Sequence, residues 1–233
     1  MKIKLTPRLQ KIVELIPPDS RVVDIGTDHG YIPIYLLQNK ITTNIIASDL
    51  NKKPFKIAKR NIQEYGFSEN VKLRLGSGLN VLKPGEVDII IMAGMGGILI
   101  SELLEDELCI AKGVNSLILQ PMRGQEELRK NLIKMGFRID QDLLVKEDGG
   151  IYEIIVARKG NQVARDEIYY EIGFHLKTNP KSLAQEFISR KIKIQEEILD
   201  KTKVKNTPDA IDKYQECKDK IVKLGGILKW LES

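Results

Sequence analysis

Two carboxylates and a glycine loop near the start of this sequence have the spacing of a cofactor site. Asp24 lies at the end of the apolar run 22–25, the loop 26–30 follows, and Asp49 closes a second apolar run about twenty residues further on. Gly26 and Gly30 would let the backbone approach a ligand, and Asp49 is placed to bond two ribose hydroxyls. Alternatively, Asp24 only organises the loop and Asp49 only caps the next helix.

The composition of this loop indicates which cofactor it favours. It reads Gly-Thr-Asp-His-Gly rather than the Gly-x-Gly-x-x-Gly of dinucleotide-binding folds. Carboxylates repel phosphate groups and attract cations, so an acid-rich loop favours a cationic ligand without phosphates. S-adenosylmethionine is such a ligand, and the Asp24 carboxylate could reach its ammonium group.

Two later loops extend the predicted site. Ser77 and Gly78 follow a third strand-like run, where a small side chain and backbone amides could read the edge of an adenine. The segment 92–97 follows a fourth run, and its three glycines and one alanine predict a flat backbone surface at the carboxyl edge of a sheet. It lacks the acid or Asn, Pro-Pro and aromatic residue that methyltransferases of exocyclic amines often carry there. An acceptor with its own lone pair, such as a ring nitrogen, is therefore favoured.

The elements that must position these loops alternate between strand and helix. Strands are predicted over 21–25, 44–48, 71–75, 87–92 and 116–119, and helices over 7–16, 31–38, 52–65, 97–104 and 125–135. Alternation of this length predicts a parallel, doubly wound α/β sheet. The runs 137–145 and 151–158 are separated by only five residues, too few for a crossover helix, so they should be antiparallel neighbours. A parallel sheet with an antiparallel last strand resembles the Rossmann-like fold of class I methyltransferases.

Beyond residue 160 the strand signals cease. Helices are predicted over 166–177, 183–203 and 208–231, and the last carries apolar residues at steps of three and four from Tyr214 to Leu231. The long pair should form an antiparallel helical hairpin with a coiled-coil-like seam, although the seam could also serve a dimer. We therefore predict a methyltransferase domain over 1–160 and a helical extension over 161–233.

Composition narrows the class of protein. The 233 residues carry 37 Lys and Arg against 32 Asp and Glu, a net charge of +5 that is compatible with a nucleic-acid partner without requiring one. No apolar run reaches the ~18 residues of a membrane span, and the first residues lack the apolar core of a signal peptide. Cys109 and Cys217 do not have the spacing of metal ligands, and two histidines are too few for a histidine-rich metal site. We expect a reduced, cytoplasmic protein without a metal, most simply a monomer.

Five segments together identify a more specific resemblance. They are 24–33 (Asp-Ile-Gly-Thr-Asp-His-Gly-Tyr-Ile-Pro), 47–49, 92–97, 119–121 and 147–153. With them, nearly the whole chain resembles the bacterial tRNA (adenine-22-N1)-methyltransferases, the TrmK family. The resemblance implies S-adenosylmethionine as methyl donor, N1 of adenine 22 in the D-arm region of tRNA as acceptor, and tRNA binding by the helical extension.

The chemistry of this reaction suggests roles for individual residues. Asp28 is expected to stabilise the product cation and His29 to contact the base or the cofactor, although both could be structural. Tyr31 is expected to stack on a base unless it belongs to the core, and Gln120 with Pro121 to shape the acceptor pocket. The expected cofactor-binding residues are Asp24, Gly26, Thr27, Gly30, Asp49, Leu50, Ser77, Gly78, Ala93, Gly94 and Met95. The expected phosphate contacts are Lys191, Lys193, Lys201, Lys203 and Lys205.

Other functions stay open at this level. The chain could methylate another RNA or a small molecule, or it could be a non-catalytic RNA-binding module that depends on the cofactor. A dinucleotide enzyme is the weakest alternative.

Overall fold

The computed structural model describes residues 2–202 and 208–232. By its internal contacts the chain divides into two compact units, residues 1–163 and 164–233. The first unit contains the sheet and the second contains helices.

Within residues 2–163, seven strands form one sheet in the order β3-β2-β1-β4-β5-β7-β6. The strands are β1 (Val22–Ile25), β2 (Ile45–Asp49), β3 (Val71–Leu75), β4 (Ile89–Gly96), β5 (Ser116–Arg123), β6 (Phe137–Glu147) and β7 (Gly150–Lys159). Strands β1 to β5 are parallel, whereas β7 runs antiparallel to both β5 and β6. The predicted class I methyltransferase sheet, including its antiparallel ending, is confirmed.

The α-helices of this unit lie before β1 and between successive strands. They are α1 (Pro7–Glu14), α2 (Tyr31–Gln38), α3 (Lys52–Glu64), α4 (Gly97–Asp106), α5 (Leu108–Gly113) and α6 (Gln125–Lys134). Every residue of β1 and β2 is buried, as expected for parallel strands in the middle of a sheet that is covered on both faces. The carboxyl ends of β1, β2 and β4 therefore meet at one edge, where the predicted cofactor loops lie.

A buried charge cluster ties α6 to the antiparallel end of the sheet. The Arg129 guanidinium is 1% exposed and donates to Asp142 Oδ1 at 2.9 Å and to Glu153 Oε2 at 2.6 Å. Charges are tolerated at such depth only when they are paired and hydrogen-bonded, so each member of this cluster requires the others.

The second unit is helical. It contains α7 (Ile168–Ile172), a 3-10 turn at Leu176–Thr178, α8 (Lys181–Thr202) and α9 (Pro208–Glu232). Helices α8 and α9 pack on each other, and Lys181 Nζ donates to the backbone oxygen of Glu232 at 2.7 Å. Because the start of α8 meets the end of α9, the pair is antiparallel, as predicted.

Four elements differ from the sequence-based prediction. The helix expected over 166–177 is only five residues long, because Gly173 adopts a φ of 86° and ends it. A short helix, α5, lies where no element was predicted. Strands β4 and β5 continue four residues past their predicted ends, and their pairing shifts register on either side of Met95. Gly94 lies in this irregularity with a φ of 78°, a backbone conformation that favours glycine.

Candidate active site at the carboxyl edge of the sheet

A cavity of about 370 Å³ opens at the carboxyl edge of β1 and β4. The two glycine-containing segments that the sequence singled out supply most of its wall. Nine of the predicted site residues line it: Asp24, Gly26, Thr27, Asp28, His29, Tyr31, Ala93, Gly94 and Met95. The structure therefore brings together residues that are up to about seventy positions apart, because parallel strands end at a common edge.

Asp24 is the most deeply buried acid of this cavity. It is 4% exposed, and the Thr27 hydroxyl donates to its Oδ2 at 2.7 Å. Burial raises the pKa of Asp24 to about 6, which the Thr27 bond partly offsets and the nearby Asp49 charge reinforces. A buried carboxylate beside a second acid favours a cationic ligand group, because the positive charge would offset the energetic cost of burying the negative charge of Asp24.

Asp49 is the last residue of β2, and it binds the backbone of the predicted cofactor loop, residues 26–30. Its carboxylate accepts the backbone N–H of Asn51 at 2.9 Å and that of Asp28 at 3.3 Å. The loop backbone is also bonded to β2, since the N–H groups of Gly26 and Thr27 both donate to the Ser48 carbonyl. Asp49 thus links the two loops that frame the predicted ribose position.

Asp28, His29 and Tyr31 form the outer wall of the cavity. Asp28 adopts a φ of 49°, a conformation in which Asp is tolerated better than most residues. His29 Nε2 lies 3.5 Å from Asp28 Oδ2, and the rings of His29 and Tyr31 stack with centroids 5.1 Å apart. All three side chains are substantially exposed, with Tyr31 at 40%. They form one polar and aromatic surface that solvent, or a substrate base, can reach.

Gln120 lies beneath this wall rather than in it. The residue is fully buried, and its Oε1 accepts the Gly94 N–H at 3.0 Å and Arg8 Nη1 at 2.8 Å. Its Nε2 donates to the Pro121 carbonyl at 3.0 Å. All of these bonds are made within the protein, so Gln120 fixes Gly94 and Arg8 in place. A direct contact of its amide with a base edge would require these bonds to break.

Arg8 is a site residue that the sequence interpretation missed. It lines the cavity from the first turn of α1, and its guanidinium lies 5.0 Å from the centre of the Tyr152 ring. Its backbone N–H donates to Glu147 Oε2 at 2.7 Å. Its buried Nε forms an ion pair with Glu147 Oε1 at 3.8 Å, which is too long for a hydrogen bond, and it has no hydrogen-bond partner among the described residues. A cation in the first turn of a helix opposes the helix dipole. The basic residue at the start of a helix was therefore the one unusual feature of Arg8 in the sequence, and it does not indicate which residues Arg8 contacts.

The other predicted cofactor residues lie along the same edge without lining this cavity. Ser77 and Gly78 follow β3, whose neighbour in the sheet is β2, and the Gly76 N–H donates to the Asp49 carbonyl at 3.0 Å. Leu50 is 62% exposed beside Asp49. Gly30 precedes α2. Pro121, which was predicted to shape the acceptor pocket, is buried in β5.

The predicted phosphate contacts on the helical unit differ in exposure. Lys193 and Lys201 are exposed on α8, whereas Lys191 is half-buried with its Nζ 4.8 Å from the centre of the Phe187 ring. Lys203 and Lys205 lie outside the described residues.

Residues 2–202 and 208–232 contain neither a cluster of metal ligands nor a membrane-spanning helix. No group of three or more His, Cys, Asp or Glu side chains there could hold a metal ion. Every helix in these ranges is too short or too polar to cross a lipid bilayer.

Comparison with known proteins assigns the family. A family model described as a methyltransferase domain matches residues 5–155. The tRNA (adenine(22)-N(1))-methyltransferase of Bacillus subtilis (strain 168) is 38% identical over 163 residues, which cover 70% of this chain and 68% of that protein.

Solved structures extend the match to almost the whole chain. The crystal structure of the B. subtilis m1A22 tRNA methyltransferase TrmK matches with a TM-score of 0.88 at 29% identity, covering 97% of this chain and 100% of that one. A Streptococcus pneumoniae structure in complex with S-adenosyl-L-methionine matches with a TM-score of 0.81 at 28% identity, covering 94% and 100%. On these grounds the chain belongs to the TrmK family of tRNA (adenine-22-N1)-methyltransferases.

Proposed function

We propose that this protein transfers a methyl group from S-adenosylmethionine to N1 of adenine 22 in tRNA. The observation that carries this proposal is the cavity at the ends of β1 and β4, which combines a buried acid with a glycine-lined wall, next to Asp49 at the end of β2, in a chain of this family. We place the reaction in the cytoplasm, where tRNA and the cofactor are both available.

The residues of the cavity fit the methionine part of the cofactor. Asp24 would pair with the ammonium group, and the guanidinium of Arg8 would receive the carboxylate. This pairing also gives the Nε of Arg8 a hydrogen-bond acceptor, which it lacks among the described residues. Asp49 would bond the ribose hydroxyls, with Leu50, Ser77 and Gly78 around the adenine.

The methyl-transfer step requires little acid–base catalysis by the protein. When bound, S-adenosylmethionine supplies a methyl group on a positively charged sulfur. Adenine N1 has a free lone pair, so it needs no base to remove a proton first. The protein must present an unstacked adenine, align N1 and exclude water. The methylated ring is cationic until it loses a proton from N6, and Asp28, on the exposed wall of the cavity, would stabilise that charge.

Ligand truncation tests the proposed cofactor contacts. S-adenosylhomocysteine contains the amino-acid group, whereas 5′-methylthioadenosine lacks it but keeps the ribose and adenine. Arg8→Gln and Asp24→Asn should each weaken S-adenosylhomocysteine binding about tenfold or more and leave methylthioadenosine binding unchanged, because lost charge-assisted bonds cost about 1.5–3 kcal/mol. Asp49→Ala should weaken both ligands. Equal losses for both ligands in the Arg8 variant would contradict its assignment to the carboxylate.

The helical extension is proposed to hold the tRNA, with residues 1–160 as the catalytic domain and 161–233 as the arm. The proposal is supported by exposed lysines on α8 that can neutralise phosphates. Changing these lysines to glutamate should weaken tRNA binding and reduce its dependence on salt, while cofactor affinity stays the same. The set is Lys191, Lys193, Lys201, Lys203 and Lys205. Unaltered tRNA affinity would show that the methyltransferase domain itself holds the RNA.

Incorporation of labelled methyl groups tests the activity. Unmodified tRNA transcripts should accept methyl groups, and the same transcripts with guanine in place of adenine 22 should not. Equal labelling of both transcripts would favour the alternative of another acceptor position. No labelling of any tRNA by folded protein that binds the cofactor would contradict the proposed reaction.

A further inference from the structure

The helical unit contains an aromatic pocket that the methyl-transfer reaction does not use. It has a volume of about 270 Å³, and all of its wall comes from residues 164–233. The rings of Tyr169, Phe174 and Trp230 contribute to this wall. Tyr169 and Phe174 stack with centroids 6.0 Å apart. The pocket is slightly smaller than the ~300–1,000 Å³ of drug-sized ligand sites, which favours a single planar group as its occupant.

Polar groups border the aromatic wall. Lys223 Nζ donates to both carboxylate oxygens of Asp166, at 2.9 and 3.2 Å. The Ile168 N–H and Lys223 lower the pKa of Asp166, so this group is a carboxylate acceptor at neutral pH. A donor and an acceptor beside aromatic faces match the polar edge of a nucleobase.

Trp230 is held in a position suited to stacking. The side chain is 45% exposed although it borders the pocket, and Lys177 Nζ lies 3.9 Å from the centre of its ring. A cation against one aromatic ring, with exposed ring surface remaining, is an arrangement that binds bases in single-stranded RNA.

One glycine of helix α9, Gly226, keeps the pocket open. Gly225 and Gly226 lie inside the 25-residue helix α9, where glycine lowers helix stability. A Cβ atom at Gly226 would meet no atom within 4 Å apart from its chain neighbours and the nearby backbone of its own helix, so no packing neighbour requires a glycine there. Gly226 lines the pocket, and its missing side chain leaves room for an occupant.

From these features we infer that the pocket binds an unstacked nucleobase of the tRNA other than the adenine that is methylated. This inference rests on the proposed function, because that function supplies RNA as the partner. Loop bases of a folded RNA are available for such stacking, whereas bases within a helix are not. The pocket would then contribute to recognition of the tRNA by the arm.

Trp230 allows a direct test because it is the only tryptophan in the sequence. Saturating unmodified tRNA should quench the Trp230 fluorescence of the intact protein and protect it from acrylamide. Gly226→Leu, which fills the pocket and retains the reporter, should abolish this quenching and raise the Kd for tRNA about tenfold, as expected for a lost base stack. Gly225→Leu, at a neighbouring position that does not line the pocket, is the matched control and should behave like the parent.

The outcomes separate this inference from the proposed function. If the tRNA is methylated but Trp230 emission and acrylamide access do not change, the pocket inference is wrong and the function stands. The pocket inference is also wrong if folded Gly226→Leu binds tRNA with the parent's Kd. If bound tRNA quenches Trp230 in the parent but is not methylated, the acceptor assignment fails instead. Because acrylamide protection is measured on the unaltered protein, it decides the question even if Gly226→Leu does not fold.

Discussion

Replacing Asp24 with Asn should stabilise the cofactor-free protein at neutral pH while weakening its binding of S-adenosylmethionine. Asn has nearly the same shape and can still accept the Thr27 hydroxyl through its amide oxygen. The substitution therefore removes the charge of Asp24 with little change in packing.

The magnitude follows from the shift of the Asp24 pKa. The pKa rises from an ordinary value of 3.8 to about 6 in the folded protein, chiefly because the group is buried. The folded protein thus holds this proton more tightly than the unfolded chain does. The group's contribution to stability is complete below pH 3.8 and is lost as pH rises through 6. A shift of about two pKa units corresponds to about 3 kcal/mol, which is the expected gain in unfolding free energy of Asp24→Asn above pH 6.

Urea denaturation at several pH values measures this effect. Without cofactor, the free-energy difference between Asp24→Asn and the parent should be near zero at about pH 4 and close to its full value at about pH 7.5. Saturating S-adenosylmethionine should narrow this difference at the higher pH, because binding stabilises the parent more than the variant. A difference that does not vary with pH, or a variant less stable than the cofactor-free parent at neutral pH, would refute the reasoning.

Asp88→Asn is a matched control with the opposite sign. Arg21 donates to Asp88 at 2.6 Å, and this hydrogen bond lowers the pKa of Asp88. Its contribution to stability is present above its ordinary pKa and lost as pH falls through the lowered value. Asp88→Asn should therefore destabilise the protein at neutral pH, and the difference should fade in acid.

Three other perturbations have defined outcomes. Arg129→Met should lower the unfolding free energy by about 3–5 kcal/mol in urea, because it leaves two buried carboxylates without their cation, and a loss below about 1 kcal/mol would contradict this. Gly97→Ala should lower both Tm and activity, because its Cβ would clash with the Gly124 carbonyl that packs against it, whereas Gly113→Ala faces open space and should preserve both. The KM for S-adenosylmethionine should rise as pH falls below 6, by about tenfold per pH unit, because Asp24 must be ionised to pair with the ammonium group.

The sequence predicted the sheet well because its signals are local. Each buried strand is a short apolar run, and five residues between the last two strands leave room only for an antiparallel connection. The ends of β4 and β5 were harder to predict, because pairing across the Gly94 irregularity depends on the neighbouring strand. Gly173 ended the helix predicted over 166–177 after five helical residues, because a glycine at positive φ breaks a helix that the sequence did not show as interrupted.

The candidate site shows the same division between local and distant signals. The cofactor loop was recognisable because its acids and glycines are contiguous in sequence. Arg8 was not, because its partners Gln120 and Glu147 are 112 and 139 residues away. Local sequence patterns do not specify contacts of this kind. The buried network around Gln120 likewise emerged only from the folded structure.

Nucleoside analysis of the RNA product tests the central claim most directly. Purified protein, S-adenosylmethionine and an unmodified tRNA transcript should yield N1-methyladenosine, which fragment mass spectrometry should locate at position 22 alone. This outcome is expected because segment 92–97, at the end of β4, lacks the acid or Asn, Pro-Pro and aromatic residue that methyltransferases of exocyclic amines often carry there. Methylation at N6 of adenine, or N1-methyladenosine at another position only, would contradict the account.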